Sequence, residues 1–317
     1  KDEVSVNRTV PLAHLGAGTI RFSGTGPSCV AGNCAIGLAE LNAIYSVVGI
    51  NPIARAVLAS AASRYPSNNV GQGVGDGINT GGFQFNAPTS TKENTHIAKF
   101  DWSPTSSQQV FFRGNYQFDK LALTSAFPDT PARALWSHPY GYVAGHNWNI
   151  SSTKINNFRY GLTRQAFSTQ GDSGSNNISF RFVFSPSLYA RTLSRVTPVH
   201  NFTDDFTWIK GNHTFQFGGN VRIIRNKRIT FASAYDQAFT NPSFYDFSGA
   251  VVDEQIINAG YTIAGGSVGS VQAAATALIG RYSDYAGNFT FDLDGSVLPA
   301  GTSSNRVFAT EEYDSYV

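Results

Sequence analysis

The feature that most constrains this chain is a two-residue alternation in which one face carries rings and the other carries amides, hydroxyls and guanidinium groups. Over residues 95–102, Ala98, Phe100 and Trp102 alternate with Lys99 and Asp101. Over 108–118, Val110, Phe112, Gly114, Tyr116 and Phe118 oppose Gln109, Arg113, Asn115 and Gln117, with Phe111 the exception. Tyr140, Tyr142, Ala144, His146, Trp148 and Ile150 share the next apolar face. Phe158, Tyr160 and Leu162 then oppose Asn157, Arg159, Thr163 and Gln165. Phe202, Phe206 and Trp208 stand against Asn201, Thr203 and Asp205. After the turn at Lys210, Gly211 and Asn212, Phe215, Phe217, Val221 and Ile223 alternate with Thr214, Gln216, Asn220 and Arg222. A period of two is the signature of a strand whose faces meet different surroundings; a helix would repeat every three or four residues.

The connections sort by length. Segments 103–107, 151–153 and 210–212 are tight, whereas 11–93, 119–137, 168–195 and 227–304 are long. Tight turns at one end, long loops at the other, and aromatic faces backed by Asn, Gln, Thr and Arg predict strands that cross a bilayer, rings toward lipid and polar side chains toward water. A soluble sandwich would instead turn its apolar face into a dry core and put Lys and Glu outside. Charged residues are only 14% of this chain and aromatic residues 13%, against about a quarter charged in ordinary soluble domains. No apolar run approaches the roughly 20 residues of a membrane helix.

The expected fold is therefore all-β: part of an antiparallel transmembrane β-barrel, an incomplete barrel with long extracellular loops containing short helices. Its expected divisions are a strand end at 1–10, a long extracellular loop at 11–93, consecutive β-hairpins over 94–226, a second long loop at 227–304 and a truncated strand at 305–317. With no Met, an alternating start and a strand-like finish, the chain reads as an internal piece of a longer barrel. Asn51-Pro52 predicts a helix start, continuing through Arg64, and 270–279 is a second, Ala-rich helix candidate. The alternating segment 285–292 breaks the up-and-down parity and is expected to stand above the membrane. Cys29 and Cys34, in a Gly/Ser/Asn-rich stretch, are read as a loop disulfide of an oxidising compartment, with free thiols or a partial metal set as alternatives.

Other chemistry is thin. Lys+Arg 23 against Asp+Glu 21 leaves +2, too little for phosphate-driven nucleic-acid binding. The six histidines are dispersed, with His200 and His213 expected at an interface or turn. Asp204 and Asp205 are adjacent and must point to opposite faces of a strand. The Gly-rich run 71–77 lacks the strand, helix and Gly-Lys-Ser/Thr of a phosphate loop and reads as flexible surface. Six Asn-X-Ser/Thr sequons carry little weight in an Asn- and Thr-rich chain. No cofactor and no enzymatic activity are expected. The basic run Arg222, Arg225, Lys227 and Arg228 falls where a strand leaves the membrane. The inner-face arginines have few acids beside them in the sequence and are expected to need partners, which a lumenal plug could supply.

Several runs together resemble the barrel of Oar-like TonB-dependent outer-membrane receptors. They are 94–102, Phe112-Arg113-Gly114-Asn115, 155–164 and, most specifically, Asp204-Asp205-Phe206-Thr207-Trp208-Ile209-Lys210-Gly211-Asn212-His213-Thr214-Phe215-Gln216-Phe217-Gly218-Gly219-Asn220-Val221-Arg222. The closing run 311–317 resembles a strand the family continues. The resemblance implies a plugged barrel of about 22 strands, set in outer-membrane lipid and energised by the TonB complex through a plug absent from this chain. The loops would then capture an extracellular solute of unknown identity. Strand parity puts Arg113, Asn115, Arg159, Gln216, Asn220 and Arg222 on the polar face as candidate substrate-binding residues along its route. The rival expectations are a passive porin-like barrel and a secreted β-rich adhesin or carbohydrate-binding module.

Overall fold

A computed structural model describes residues 2–69, 73–130, 133–171, 174–181, 183–184, 191–240 and 252–316. In chain order, β1 (Asp2–Pro11) leads into α1 (Ala13–Ala17), β2 (Ile20–Thr25), β3 (Cys29–Val30), β4 (Asn33–Ile36), α2 (Leu38–Ile44) and α3 (Pro52–Arg64). The long strands follow: β5 (Thr80–Thr105), β6 (Gln108–Ala122), β7 (Ala134–Ser137), β8 (Tyr140–Ser151) and β9 (Lys154–Gln170). Short β10 (Asn177–Phe180) precedes β11 (Leu193–Lys210), β12 (His213–Thr230) and short β13 (Gln237–Thr240). The chain finishes through α4 (Val252–Asn258), β14 (Thr262–Ile263), α5 (Val268–Ile279), β15 (Asp284–Ala286) and β16 (Ser304–Tyr316).

One antiparallel sheet of nine strands carries the order β1-β5-β6-β7-β9-β11-β12-β16, with β8 also between β6 and β9. Strands β7 and β8 are collinear, interrupted at His138 and Pro139; both keep a single register against β6 and, as far as Asn149, against β9. Proline has no N–H to give a ladder, which accounts for the break. Register fixes the faces, because directly paired residues point the same way. Phe100, Phe112, Ala144, Tyr160, Phe202, Val221 and Tyr313 form one continuous row across seven strands. Trp102, Trp148 and Trp208 share that face near the tight turns, and Tyr116, Tyr140 and Tyr142 share it higher up. Rings gathered at two levels around an apolar band are the girdles of a membrane barrel.

The rings do not meet in a dry centre. Phe100 is 64% exposed, Phe112 44% and Trp102 56%, and none of Phe100, Phe112, Tyr160, Trp208 and Phe217 belongs to the buried core. The core lies instead in the long connections. Leu15, Ile20, Phe22, Ile36, Leu41, Leu58, Ile256, Val271 and Leu278 are almost wholly buried there. Helix α5 is apolar around most of its circumference, so it is buried on most sides, with Ala273, Ala274, Ala275 and Ala277 inside. Helix α3 starts as the sequence predicts, the Asn51 side chain accepting from the Ile53 and Ala54 amides and Pro52 filling the first turn. The Cys29–Cys34 disulfide forms across the β3–β4 hairpin, whose turn puts Ala31 and Gly32 at φ 49° and 82°. The expected loop 11–93 is therefore a folded cap over its greater part.

The strands also run further outward than expected. β5 begins at Thr80 rather than Asn94, β6 continues to Ala122, β9 to Gln170 and β12 to Thr230, while β16 starts at Ser304. Residues 88–93 carry no apolar alternation, since water or the cap flanks them there, so periodicity could not mark the strand. At 26 residues β5 is more than twice the roughly 9–11 that cross a bilayer. Along it the apolar positions switch from Ala98, Phe100 and Trp102 to Phe83, Phe85 and Ala87, that is from even to odd numbers. The upper set packs under the cap: Phe83 lies 5.6 Å from Tyr65, and Tyr65 stacks on Phe127 at 4.0 Å. Segment 285–292 is not one strand. Asp284–Ala286 pairs with β13, which pairs with β10 in a separate three-stranded sheet, and Phe291 makes an isolated bridge to Val297.

Candidate functional site

The face opposite the rings is built from the alternate residues of the same strands, and register brings the six candidate residues onto it. One row reads Lys99, Arg113, Val143, Gly161, Asn201, Arg222 and Glu312. The row on its tight-turn side reads Asp101, Phe111, Gly145, Arg159, Thr203, Asn220 and Asp314. Arg113 and Arg222 thus share one row, Arg159 and Asn220 the next. Asn115 lies one row outward, paired to Ile97 and Gly141, and Gln216 lies nearer the tight turns, paired to Thr207. The six line a band of one face rather than a single cluster.

One expectation about this face fails in part, and one exception finds its reason. The expectation that the inner-face arginines are short of acids fails at Arg222, while Arg113 and Arg159 have no ion pair among the described residues. Arg222 donates to Glu312 on the neighbouring strand at 3.0 Å, and Lys99 pairs with Asp101 at 2.8 Å. Glu312 was hidden because β16 lies 90 residues away in sequence and its register could not be read from the alternation alone. The exception is Phe111, the ring on the polar side. A Cβ on Gly145, its paired partner, would sit 2.1 Å from the Phe111 ring, so the ring lies flat across the glycine and covers its bare backbone. Tyr316 does the same over its partner Gly218, and its hydroxyl donates to Asp205. Aromatic cover of strand glycines is a recurrent way to hold a barrel wall at such positions. Asp204, on the ring-bearing face, accepts from the Asn156 amide at 2.9 Å, so the two adjacent acids do serve opposite faces. His200 accepts from or donates to the Tyr160 hydroxyl at 2.9 Å, and His213 sits at the β11–β12 turn.

The cap adds features with little sequence signal. A cavity of about 320 Å³ opens between α3, the end of α5 and the three-stranded sheet, lined among others by Asn51, Asn177, Asp236, Gln237, Tyr282 and Tyr285. The rings of Tyr282 and Tyr285 lie 5.8 Å apart. The Tyr285 hydroxyl and the Asn288 amide donate to Asp236 and hold its carboxyl below the usual range. A second network ties the cap together. Asp76 accepts from the amides of Ile78, Asn79 and Thr80 at 2.9, 2.8 and 2.7 Å and from the Ser270 hydroxyl. Burial pushes its carboxyl up, but the Ser270 hydroxyl and these N–H groups outweigh it and leave the pKa lowered. Buried Asn79 clamps the Arg21 backbone from both sides, accepting at 2.9 Å and donating at 2.8 Å. The part of the Gly-rich run that is described is therefore anchored; Gly71 and Gln72 lie outside the described residues. The acid-then-small pattern of Asp76-Gly77 is a turn signal that could have marked this anchor.

Rings outward over a membrane-height band, polar rows behind them and tight turns at one end define a segment of transmembrane barrel wall. The chain belongs to the outer membrane beta barrel domain family, whose model matches residues 1–297, and its place is the outer membrane. Among solved structures, the outer membrane transporter YddB from Escherichia coli is similar at 17% identity and a TM-score of 0.37, over 56% of this chain and 23% of that one. The chain thus spans about a quarter of that transporter's length. No curated protein matches the sequence.

Proposed function

We propose that this chain forms part of the wall and outer mouth of an Oar-like, TonB-dependent receptor that binds a solute with its extracellular cap and passes it along the polar face. The observation that carries this reading is the long connections folding into one cored cap at the end of the sheet opposite the tight turns. A polar face alone would serve a passive pore; a built cap with an aromatic and amide-lined cavity favours capture before passage. In this reading the Tyr282–Tyr285 cavity receives the solute, and Arg113, Asn115, Arg159, Gln216, Asn220 and Arg222 offer it successive hydrogen-bonding partners. The role is binding and passage, not catalysis. A plug elsewhere in the protein would close the lumen and couple it to TonB.

Planar-bilayer recording on the intact protein tests this. A plugged receptor is electrically silent until mild denaturant loosens the plug, and it binds the purified periplasmic domain of TonB. Steady conductance without denaturant, together with no TonB binding, would establish the passive pore instead. A protein that stays monodisperse without detergent would be an adhesin or carbohydrate-binding module.

A further inference from the structure

Beyond the outer end of the membrane band the polar face carries an arrangement that its other rows lack. Arg195 on β11 is paired directly with Arg228 on β12, and Arg228 directly with Arg306 on β16. Three guanidinium-bearing residues thus stand side by side on neighbouring strands, about 4.8 Å apart at the backbone. Like charges in directly opposed positions work against a sheet. Lower on this face the protein answers Arg222 and Lys99 with carboxylates, Glu312 and Asp101. Here it does not. Among the described residues none of the three arginines has an ion pair, and the nearest acid on their row, Asp119, is separated from Arg195 by β7 and β9. Asp292, close in sequence to a carbonyl that holds Arg306, accepts from the Leu293 amide.

Neutral neighbours steady the outer two side chains. Arg195 lies over the Phe167 ring at 5.8 Å, and Arg306 donates to the carbonyls of Phe291 and Asn305 at 2.7 and 3.2 Å. Arg228, between them, is exposed and makes no such contact among the described residues. We propose that Arg195, Arg228 and Arg306 form an oxyanion-binding row at the outer mouth, suited to a solute bearing two or more linked phosphate, sulfate or carboxylate groups. Guanidinium forks match such oxygens two at a time, and a row spread over three strands favours several anionic groups over one. The inference rests on the reading above only in taking the polar face as the side that water and solute reach.

Tripolyphosphate binding to the intact, detergent-purified protein, followed by calorimetry at constant ionic strength, tests the row. Wild type is expected to bind it saturably and at least tenfold more tightly than orthophosphate. Arg228→Gln, or Arg306→Gln should the first not fold, weakens tripolyphosphate at least tenfold. Arg225→Gln, three residues away and on the ring-bearing face, stays within twofold. Without added anion, Arg228→Gln leaves the thermal midpoint unchanged or raises it, because self-repulsion is relieved. Absence of saturable binding, or equal losses in Arg228→Gln and Arg225→Gln, would overturn the proposal. A lowered midpoint in anion-free Arg228→Gln with no tripolyphosphate binding overturns it too, by showing that an acidic segment of the protein itself neutralises the row. An open porin would still bind tripolyphosphate through these residues, so the two readings fail separately.

Discussion

Replacing Phe112 by arginine puts a charge on the ring-bearing face near mid-membrane, and the structure sets how much that should cost. Phe112 stands four residues outward from Gln108, where β6 leaves its tight turn. At about 3.4 Å per residue that is about 14 Å of strand, or about 10 Å of height at a tilt of 35–45°, close to the middle of a band about 25 Å tall. Arginine at the midplane of a barrel's lipid face costs about 2–4 kcal/mol, and losing the phenyl group from lipid adds about 2 kcal/mol. Phe112→Arg should therefore destabilise by about 4–6 kcal/mol. Arg113→Gln, one residue along on the other face, should cost under about 1 kcal/mol. The assay is urea unfolding of the intact protein in phospholipid vesicles, read by loss of the heat-modifiable band on gels. If that face met water, a half-exposed Phe112 could become arginine with no penalty. Coincident midpoints for wild type and Phe112→Arg would thus refute the orientation on which the membrane reading depends.

Gly145→Val drives a side chain into Phe111 and should cost about 1–3 kcal/mol, with Phe111→Ala in the same chain restoring most of it; a loss that the second change does not touch would show that the ring is not what fills the site. Reducing Cys29–Cys34, or replacing both by serine, should cost the cap about 2 kcal/mol for so short a loop and expose it to limited proteolysis, while the barrel's own unfolding midpoint stays put. Asp76→Ala removes a carboxylate that accepts from three amides and should loosen the cap by about 1.5–3 kcal/mol. Because the folded pKa of Asp76 lies below its ordinary 3.8, its contribution is complete above that value and is lost as pH falls through the lower folded pKa. Wild-type cap protection in hydrogen exchange should therefore fall at acid pH more steeply than that of Asp76→Ala, and parallel profiles would count against the anchor.

The membrane-height part of the wall was legible because each strand there faces two unlike solvents. Phe100, Phe112, Tyr160 and Phe202 could be placed on one face by counting alone, as could Arg113, Arg159 and Arg222 on the other. The signal faded where that contrast ended. From Pro88 to Glu93 neither side of β5 meets lipid, so fourteen further residues of strand down to Thr80 read as loop. The helix beginning at Pro52 was visible from its cap, whereas the cap's core was not, because Leu15, Phe22, Leu58, Val271 and Leu278 come from separate connections and no local period links them. Pairings across long gaps, such as Arg222 with Glu312 or Arg228 with Arg306, depend on where β16 docks. That register comes from the whole sheet, not from either segment.

The unbroken course of β5 has a mechanical consequence. Its lower half is built into the wall and its upper half into the packing under Tyr65 and Phe127, so cap and wall share one stiff rod and not a slack tether. A load applied to the cap is carried down that rod as bending or twist, and the adjoining ladders with β1 and β6 must deform with it.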